Sequence, residues 1–297
     1  MLERLLVAAL HRWRFFRGEY SLTQRLAPLL LGRSNPRRIA RLRSGVRLEV
    51  DTSDYNGRAV YLMGGYELGV TEACRILMPD GGIFLDIGAN CGAVGLNLLD
   101  AVGEAGEVHL FEPQPFLVEG IAQAAAGIER PQVVVHAVAL TDHDGAIRLS
   151  VPAGHSGAAT LAGADGTNTT EVEGRAADAY LARFDGVRPI GVKVDVEGAE
   201  PQVLPSVFAL AGLRFVVFEC NRRENQSAIY DEAERQGVHL FSLVLKPSQV
   251  QVLRLKQVEE MGDSEDFIAI PMRCLAPERI GDGPIPLREV NAMIVNR

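Results

Sequence analysis

Two short segments hold most of the residues whose types and spacing could do chemistry. The first is Asp86-Ile87-Gly88-Ala89-Asn90-Cys91-Gly92, where an apolar run ends in an acid followed by a turn of small residues. Gly88 and Gly92 predict a backbone that can approach a ligand closely. A helix starting behind them would offer unpaired N–H groups and a partial positive charge to a ligand carboxylate. Asp86 would repel a pyrophosphate but attract a ligand carrying an ammonium and a sulfonium. The loop is also G-x-x-x-G with Asn90 inside it, not the G-x-G-x-x-G of dinucleotide sites. Glu112 ends the next apolar run, which Pro113 stops, and a carboxylate there can accept hydrogen bonds from both hydroxyls of a ribose. The second segment is Lys193-Val194-Asp195-Val196-Glu197-Gly198-Ala199-Glu200. Strand alternation puts Lys193, Asp195 and Glu197 on one side for as long as the chain stays extended.

S-adenosyl-L-methionine has two cations beside a carboxylate, so the first segment suits it as cofactor. Methyl transfer from it is an SN2 displacement, which calls for alignment of the acceptor and for a base. Asp195 is the first candidate for base or acceptor-orienting group and Glu197 the second, while Glu219 at the end of another apolar run could hold the far side of the acceptor. The plainer alternative is that these acids cap the following helix or pair with Lys193. Asp195, Glu219 and Asn221 are also hard oxygen donors suited to a divalent metal such as Mg²⁺, although the preferred reading assigns no metal ligand. His136 and His155 are further bases by type, against the commoner role of a satisfied strand or loop histidine. Cys91 reads as a small packing residue.

These side chains need a sheet to position them. Apolar runs at 82–87, 107–113, 132–140, 191–196, 214–220, 238–245 and 266–271 alternate with helical patterns, as in a parallel sheet flanked by helices. The helical patterns fall around 93–100, up to about 125, and at 227–236. Pro201 fits a first helical turn and Gly237 a helix stop. Between the third and fourth runs, Asp144-Gly145 opens a strand at 146–151, and a Gly/Ala/Thr-rich stretch follows to about residue 170. This predicts a hairpin and a mobile loop where a substrate lid, or a plain surface insertion, could sit. Residues 1–31 read as helical, ending at Gly32-Arg33-Ser34-Asn35-Pro36.

The sequence resembles the FkbM family of methyltransferases over roughly residues 48–272. The likeness is carried by Gly65-Tyr66-Glu67, FLDIGANCG, LFEP, HAVAL with Asp142 and Gly145 behind it, VKVDVEGAE and VVFEC. It implies an α/β, Rossmann-like class I methyltransferase fold with a mostly parallel seven-stranded sheet, helices on both faces and one antiparallel strand near the end. It also implies transfer of the methyl group to a hydroxyl, on a sugar, glycolipid or natural product. By carry-over, Asp86, Gly88, Asn90, Gly92 and Glu112 line the cofactor site. Glu67 belongs near the methionine end of the cofactor.

Composition bounds the rest. The 297 residues are 47% hydrophobic and 23% charged, which suits one large α/β domain with an extension. The expected division is a basic helical arm at 1–47, a catalytic domain at 48–275 and a tail at 276–297. Residues 1–48 hold eleven arginines against Glu3 and Glu19, so the net charge of −8 hides an acidic body that is a poor partner for nucleic acid. The arm could touch an anionic membrane surface peripherally, pack on the body or form an oligomer contact. Four widely spaced cysteines, with no signal sequence or 20-residue apolar span, point to a cytoplasmic protein. The expected partner is a small-molecule or glycan hydroxyl acceptor. The readings from other classes are a non-catalytic membrane-peripheral or partner-binding protein that keeps this fold, and a nicotinamide-dependent oxidoreductase.

Overall fold

The computed structural model describes residues 2–11, 19–31, 36–129, 131–161, 169–186, 188–262, 264–275, 281 and 283–294. The chain opens with α1 (Leu2–Leu10) and α2 (Glu19–Leu30), then a hairpin of β1 (Arg37–Arg41) and β2 (Arg47–Asp51). Helices α3 (Tyr55–Met63) and α4 (Leu68–Leu77) lead into β3 (Ile83–Ile87). Two single-turn helices, α5 (Ala93–Leu96) and α6 (Leu99–Val102), precede β4 (Glu107–Phe111), α7 (Pro115–Ala125) and β5 (Gln132–His136). The insertion comprises β6 (Ala139–Thr141), β7 (Gly145–Ser150), a 3-10 turn (Ser156–Ala158), β8 (Thr160–Leu161) and β9 (Thr169–Ala176). Then come α8 (Ala177–Leu181), β10 (Ile190–Val194), α9 (Glu200–Phe208), β11 (Leu213–Glu219) and α10 (Arg223–Arg235). The chain closes with β12 (Val238–Lys246), β13 (Gln249–Arg254), β14 (Asp266–Pro271), β15 (Ile285–Pro286) and α11 (Leu287–Met293).

The main sheet runs β15-β13-β12-β14-β11-β10-β3-β4-β5. From β5 to β11 every pairing is parallel, and β14 enters antiparallel between β11 and β12. This is the expected seven-stranded class I order, and each of its strands lies on one of the seven apolar runs. Two corrections apply. The sheet has nine strands, because β13 and β15 extend the β12 edge. The run at 132–140 is not one strand: it stops at His136, and β6 joins a separate four-stranded sheet ordered β6-β9-β7-β8.

Period-2 alternation sorts the side chains onto the two faces of the main sheet. Ile83, Leu85, Ile87, Val192, Val194, Val216 and Phe218 pack under α8, α9 and α10. Phe84, Phe215, Val217 and Ile268 pack on the opposite side with α3, α4 and α7. The parity of the second set also falls on Asp86, Lys193, Glu219 and Asp266, so four ionisable residues near the strand ends share the face that α4 covers.

The N-terminal segment is not a detached arm where it is described. Leu10, Ala27 and Leu31 bury against Leu62, Met63 and Leu68, and α2 packs along α3. A division at residues 47 and 48 would separate two strands that pair from Arg41↔Arg47 to Arg37↔Asp51. Residues 12–18 and 32–35, with four of the arm's arginines and the expected break, lie outside the described residues, as do 162–168 of the insertion and part of the tail. Among the described residues, no helix is long and apolar enough to cross a membrane.

Candidate active site

At the carboxyl ends of β3, β4 and β10 lies a cavity enclosing about 670 Å³, open mouth included. Its floor includes Gly88, Asn90, Glu112, Gln114, Asp195 and Glu197, and residues Ser156, Gly157, Ala159 and Leu161 of the insertion wall one side. The structure therefore brings five of the nine predicted site residues together here. Asp86, Gly92, Glu67 and Glu219 do not line this cavity.

Asp86 is fully buried, and its Oδ2 accepts a 2.9 Å hydrogen bond from the Gly95 N–H. It caps the short helix behind the loop from inside the protein, so one of the N–H groups expected to meet a ligand carboxylate is already taken. Burial raises its pKa, against the opposing pull of Lys193 and the Gly95 amide. The glycines also have a different cause from the one expected. A Cβ at Gly88 (φ +78°) would sit 1.7 Å from the Asp195 carbonyl oxygen, and one at Gly92 (φ +78°) would press on Ile121 at 3.2 Å. Both turns need glycine because of the protein's own packing and left-handed backbone. Gly88→Ala is expected to destabilise the protein by about 4 kcal/mol or more, the range reserved for backbone collisions. An unchanged urea midpoint would refute that.

Glu112 is 3% exposed and holds the loop together. Its Oε2 accepts from the Asn90 N–H at 2.9 Å and its Oε1 from the Gln114 N–H at 2.8 Å. Burial pushes its pKa up to about 7, even against these two amides. Each carboxylate oxygen keeps a lone pair for a further donor. Gln114 presents a buried Oε1 with no hydrogen-bond partner, an acceptor waiting for a donor. A buried carboxylate with spare lone pairs and an orphaned amide oxygen are acceptors that fit the ribose hydroxyls and base amine of a nucleoside, as S-adenosylmethionine carries.

Below the cavity floor, Lys193 organises a second cluster. It is 2% exposed, and its Nζ donates to Asp195 Oδ2 at 3.0 Å and to the Gly88 carbonyl at 3.4 Å, with Glu67 Oε2 at 3.7 Å. Burial alone would lower its pKa, but Asp195 and Glu67 raise it well above the ordinary lysine value. Carboxylate oxygens of Glu67, Asp195 and Glu219 all lie within 4.8 Å of one another. Glu67 and Glu219 are both pushed up, by burial first and then by neighbouring charge. Asp266, directly opposite Glu219 across β11 and β14, is raised to about 6 by burial and by Asp195.

The extended chain stops at Val194, so Glu197 does not continue the alternation. At φ +53° it turns into the cavity wall apart from the Lys193 cluster, and burial, with Asp195 and Glu200, lifts its pKa to about 7. The plainer alternative holds in part: Asp195 pairs with Lys193, whereas Glu200 does not cap the following helix but ties the loop before it, its Oε1 accepting from the Gly198 N–H at 2.9 Å. Among the described residues, the non-glycine positive-φ positions are Glu67, Asn90 and Glu197, all in this region. Such strain concentrates at functional sites. Neither histidine enters the cavity. His136 bonds His109 at 3.0 Å and Tyr180 at 3.1 Å, stacks on Phe111, and is pushed down to about 4 by burial; His155 packs on the Tyr55 ring.

Sequence reasoning missed Gln114, Ser156, Asp266 and the central part played by Lys193. Gln114 stood two residues beyond Glu112 and was within reach of the same argument. Ser156 carried no local signal.

A family model described as the methyltransferase FkbM domain matches residues 86–257, more than half of the chain. The chain belongs to the FkbM methyltransferase family. It is a methyltransferase dependent on S-adenosylmethionine, and the matched region contains the Gly88 turn, Glu112, Asp195, Glu197 and Glu219. The search of curated proteins returned no significant match. Among solved structures, the FkbM-family chain is similar to precorrin-6y C5,15-methyltransferase from Geobacter metallireducens GS-15. That pair shares 13% identity over 70% of this chain and 91% of the other, with a TM-score of 0.39. It is also similar to M. jannaschii TYW2 in complex with AdoMet, at 10% identity over 81% and 88% of the two chains and a TM-score of 0.43.

Proposed function

We propose that this FkbM-family protein methylates a hydroxyl oxygen of a sugar, glycolipid or other natural product, with Glu112, Gly88, Asn90 and Gln114 at the cofactor and Asp195 at the acceptor. The observation that carries this reading is Asp195 itself. It lines the cofactor cavity while Lys193 fixes its Oδ2 from behind at 3.0 Å. When bound, S-adenosylmethionine supplies an electrophilic methyl group on a cationic sulfur. Asp195 orients the acceptor hydroxyl and takes its proton as the oxygen becomes nucleophilic. Glu197, with its pKa near neutrality, offers a second hydrogen-bonding carboxyl on the same wall, and Glu219 sits behind Asp195. Incubation with methyl-labelled cofactor and a panel of polyols and glycosides, read by mass spectrometry, tests the reading. A methyl group found on nitrogen or carbon would sink it.

The grouping of Glu67, Asp195 and Glu219 gives a metal-assisted variant a concrete geometry. Against it, the Lys193 ammonium already sits between Glu67 and Asp195. Asn221, the other oxygen donor expected there, turns its amide nitrogen to Glu219. Turnover is therefore expected to survive exhaustive chelation. Loss of activity on chelation, restored by Mg²⁺, would reverse this assignment.

A further inference from the structure

The insertion is fastened over the site around Ser156. Ser156, 6% exposed in its 3-10 turn, makes three hydrogen bonds to three separate parts of the chain. Its N–H donates to Asp54 Oδ2 at 2.7 Å. Its Oγ accepts from Asn90 Nδ2 at 3.1 Å, and its carbonyl accepts from Gln114 Nε2 at 3.1 Å. Two of these partners, Asn90 and Gln114, belong to the cofactor floor. The third, Asp54, is the N-cap of α3, where its other oxygen serves the Asn56 and Gly57 amides.

The surroundings reinforce the attachment. The Tyr55 N–H donates to the Gly154 carbonyl at 2.9 Å, and the His155 ring lies 4.8 Å from the Tyr55 ring. Gly157 comes so close to α3 that a Cβ would sit 2.2 Å from Asn56 Nδ2. The Asn90–Ser156 pair is also a shared wall. Both residues line the cofactor cavity, and both line a second cavity of about 940 Å³ between α7 and the β1–β2 hairpin. Separating them would join the two spaces.

We propose that Ser156 is a positioning residue whose three hydrogen bonds clasp residues 155–159 to the cofactor floor and to the start of α3 and thereby set how fast the cofactor and its demethylated product exchange. The inference rests on the cofactor reading above and adds to it the step that controls release. A nucleoside between the insertion and the floor touches both, so loosening the clasp eases its departure. Each bond lost should speed opening severalfold, the usual weight of one intramolecular hydrogen bond.

Two variants test this in the full-length protein. Ser156→Ala removes the bond to Asn90. Asp54→Asn keeps a side-chain oxygen for the α3 cap but presents an amide donor to the Ser156 N–H. Asp54 is outside the cofactor cavity, so any change in release there is not a lost cofactor contact. Release of radiolabelled S-adenosylhomocysteine, followed by rapid filtration, is expected to quicken about fivefold in each variant. Amide hydrogen exchange over residues 153–161 should quicken with it. Equal release rates in both variants and the parent would overturn the proposal, and faster exchange with unchanged release would reduce the clasp to a structural contact. If the parent protein binds no S-adenosylhomocysteine at all, the cofactor reading fails first and the proposal with it.

Discussion

Glu112→Gln is expected to weaken S-adenosylmethionine binding by roughly 100-fold, the loss of two charge-assisted hydrogen bonds. The substitution is isosteric, and the amide can still accept from one of the two backbone donors, Asn90 and Gln114, that Glu112 now satisfies. Calorimetry on the folded variant, with melting curves as the control for folding, reads the effect. Affinity within a few-fold of the parent would remove Glu112 from the cofactor site. The same residue predicts a pH dependence. Burial raises the Glu112 pKa to about 7, so acidification removes the charge that ribose hydroxyls would meet. The charged form binds; parental affinity should therefore fall as the pH drops through about 7, and the glutamine variant should stay flat. Stability of the ligand-free protein has the opposite sign. A carboxyl raised from 4.5 to about 7 takes up its proton more readily when folded, so its contribution to stability is lost as the pH rises through that window.

Asp195→Asn is expected to lower kcat by roughly 1,000-fold, within the range for loss of a general base, and to leave cofactor affinity nearly unchanged. The variant retains the shape of the side chain, and Lys193 keeps Glu67 as a counter-charge at 3.7 Å. Single-turnover methylation compared with cofactor titration separates the two effects. A parallel loss of cofactor binding would make Asp195 a binding residue. Full activity would move the base to Glu197 or leave the acceptor to lose its proton to water.

The central sheet was legible because its strands are nearly continuous apolar runs, buried on both faces. The Lys193 cluster was not, because the register that sets Lys193 beside Asp86 and Glu219 beside Asp266 comes only with the pairing of the strands. The β1–β2 hairpin was hidden by composition: Arg37–Arg41 and Arg47–Asp51 are short and mostly charged, with one face exposed. Gln249–Arg254 alternates polar and apolar residues and could have been read as a strand. Two kinds of fact had no local trace. One is contact across great separation, such as Asp54 to Ser156, 102 residues apart. The other is the cause of a glycine, since the turn at Gly88 looks the same in sequence whether a ligand or the Asp195 carbonyl lies above it.

The backbone around Gly88 has a consequence for how acceptor preference can change. Gly88 and Ala89 donate to the Phe111 carbonyl, Asp195 donates to the Ile87 carbonyl, and Lys193 reaches the Gly88 carbonyl. The tips of three neighbouring strands are thus bolted into one plate, and the Gly88 turn cannot shift without dragging Asp195 along. Diversification toward new acceptors must therefore come from pieces that can be exchanged around that plate, the insertion above all. Grafting a foreign insertion that keeps Ser156 and its bonds to Asn90, Gln114 and Asp54 should redirect which molecule is methylated while the plate stays unaltered.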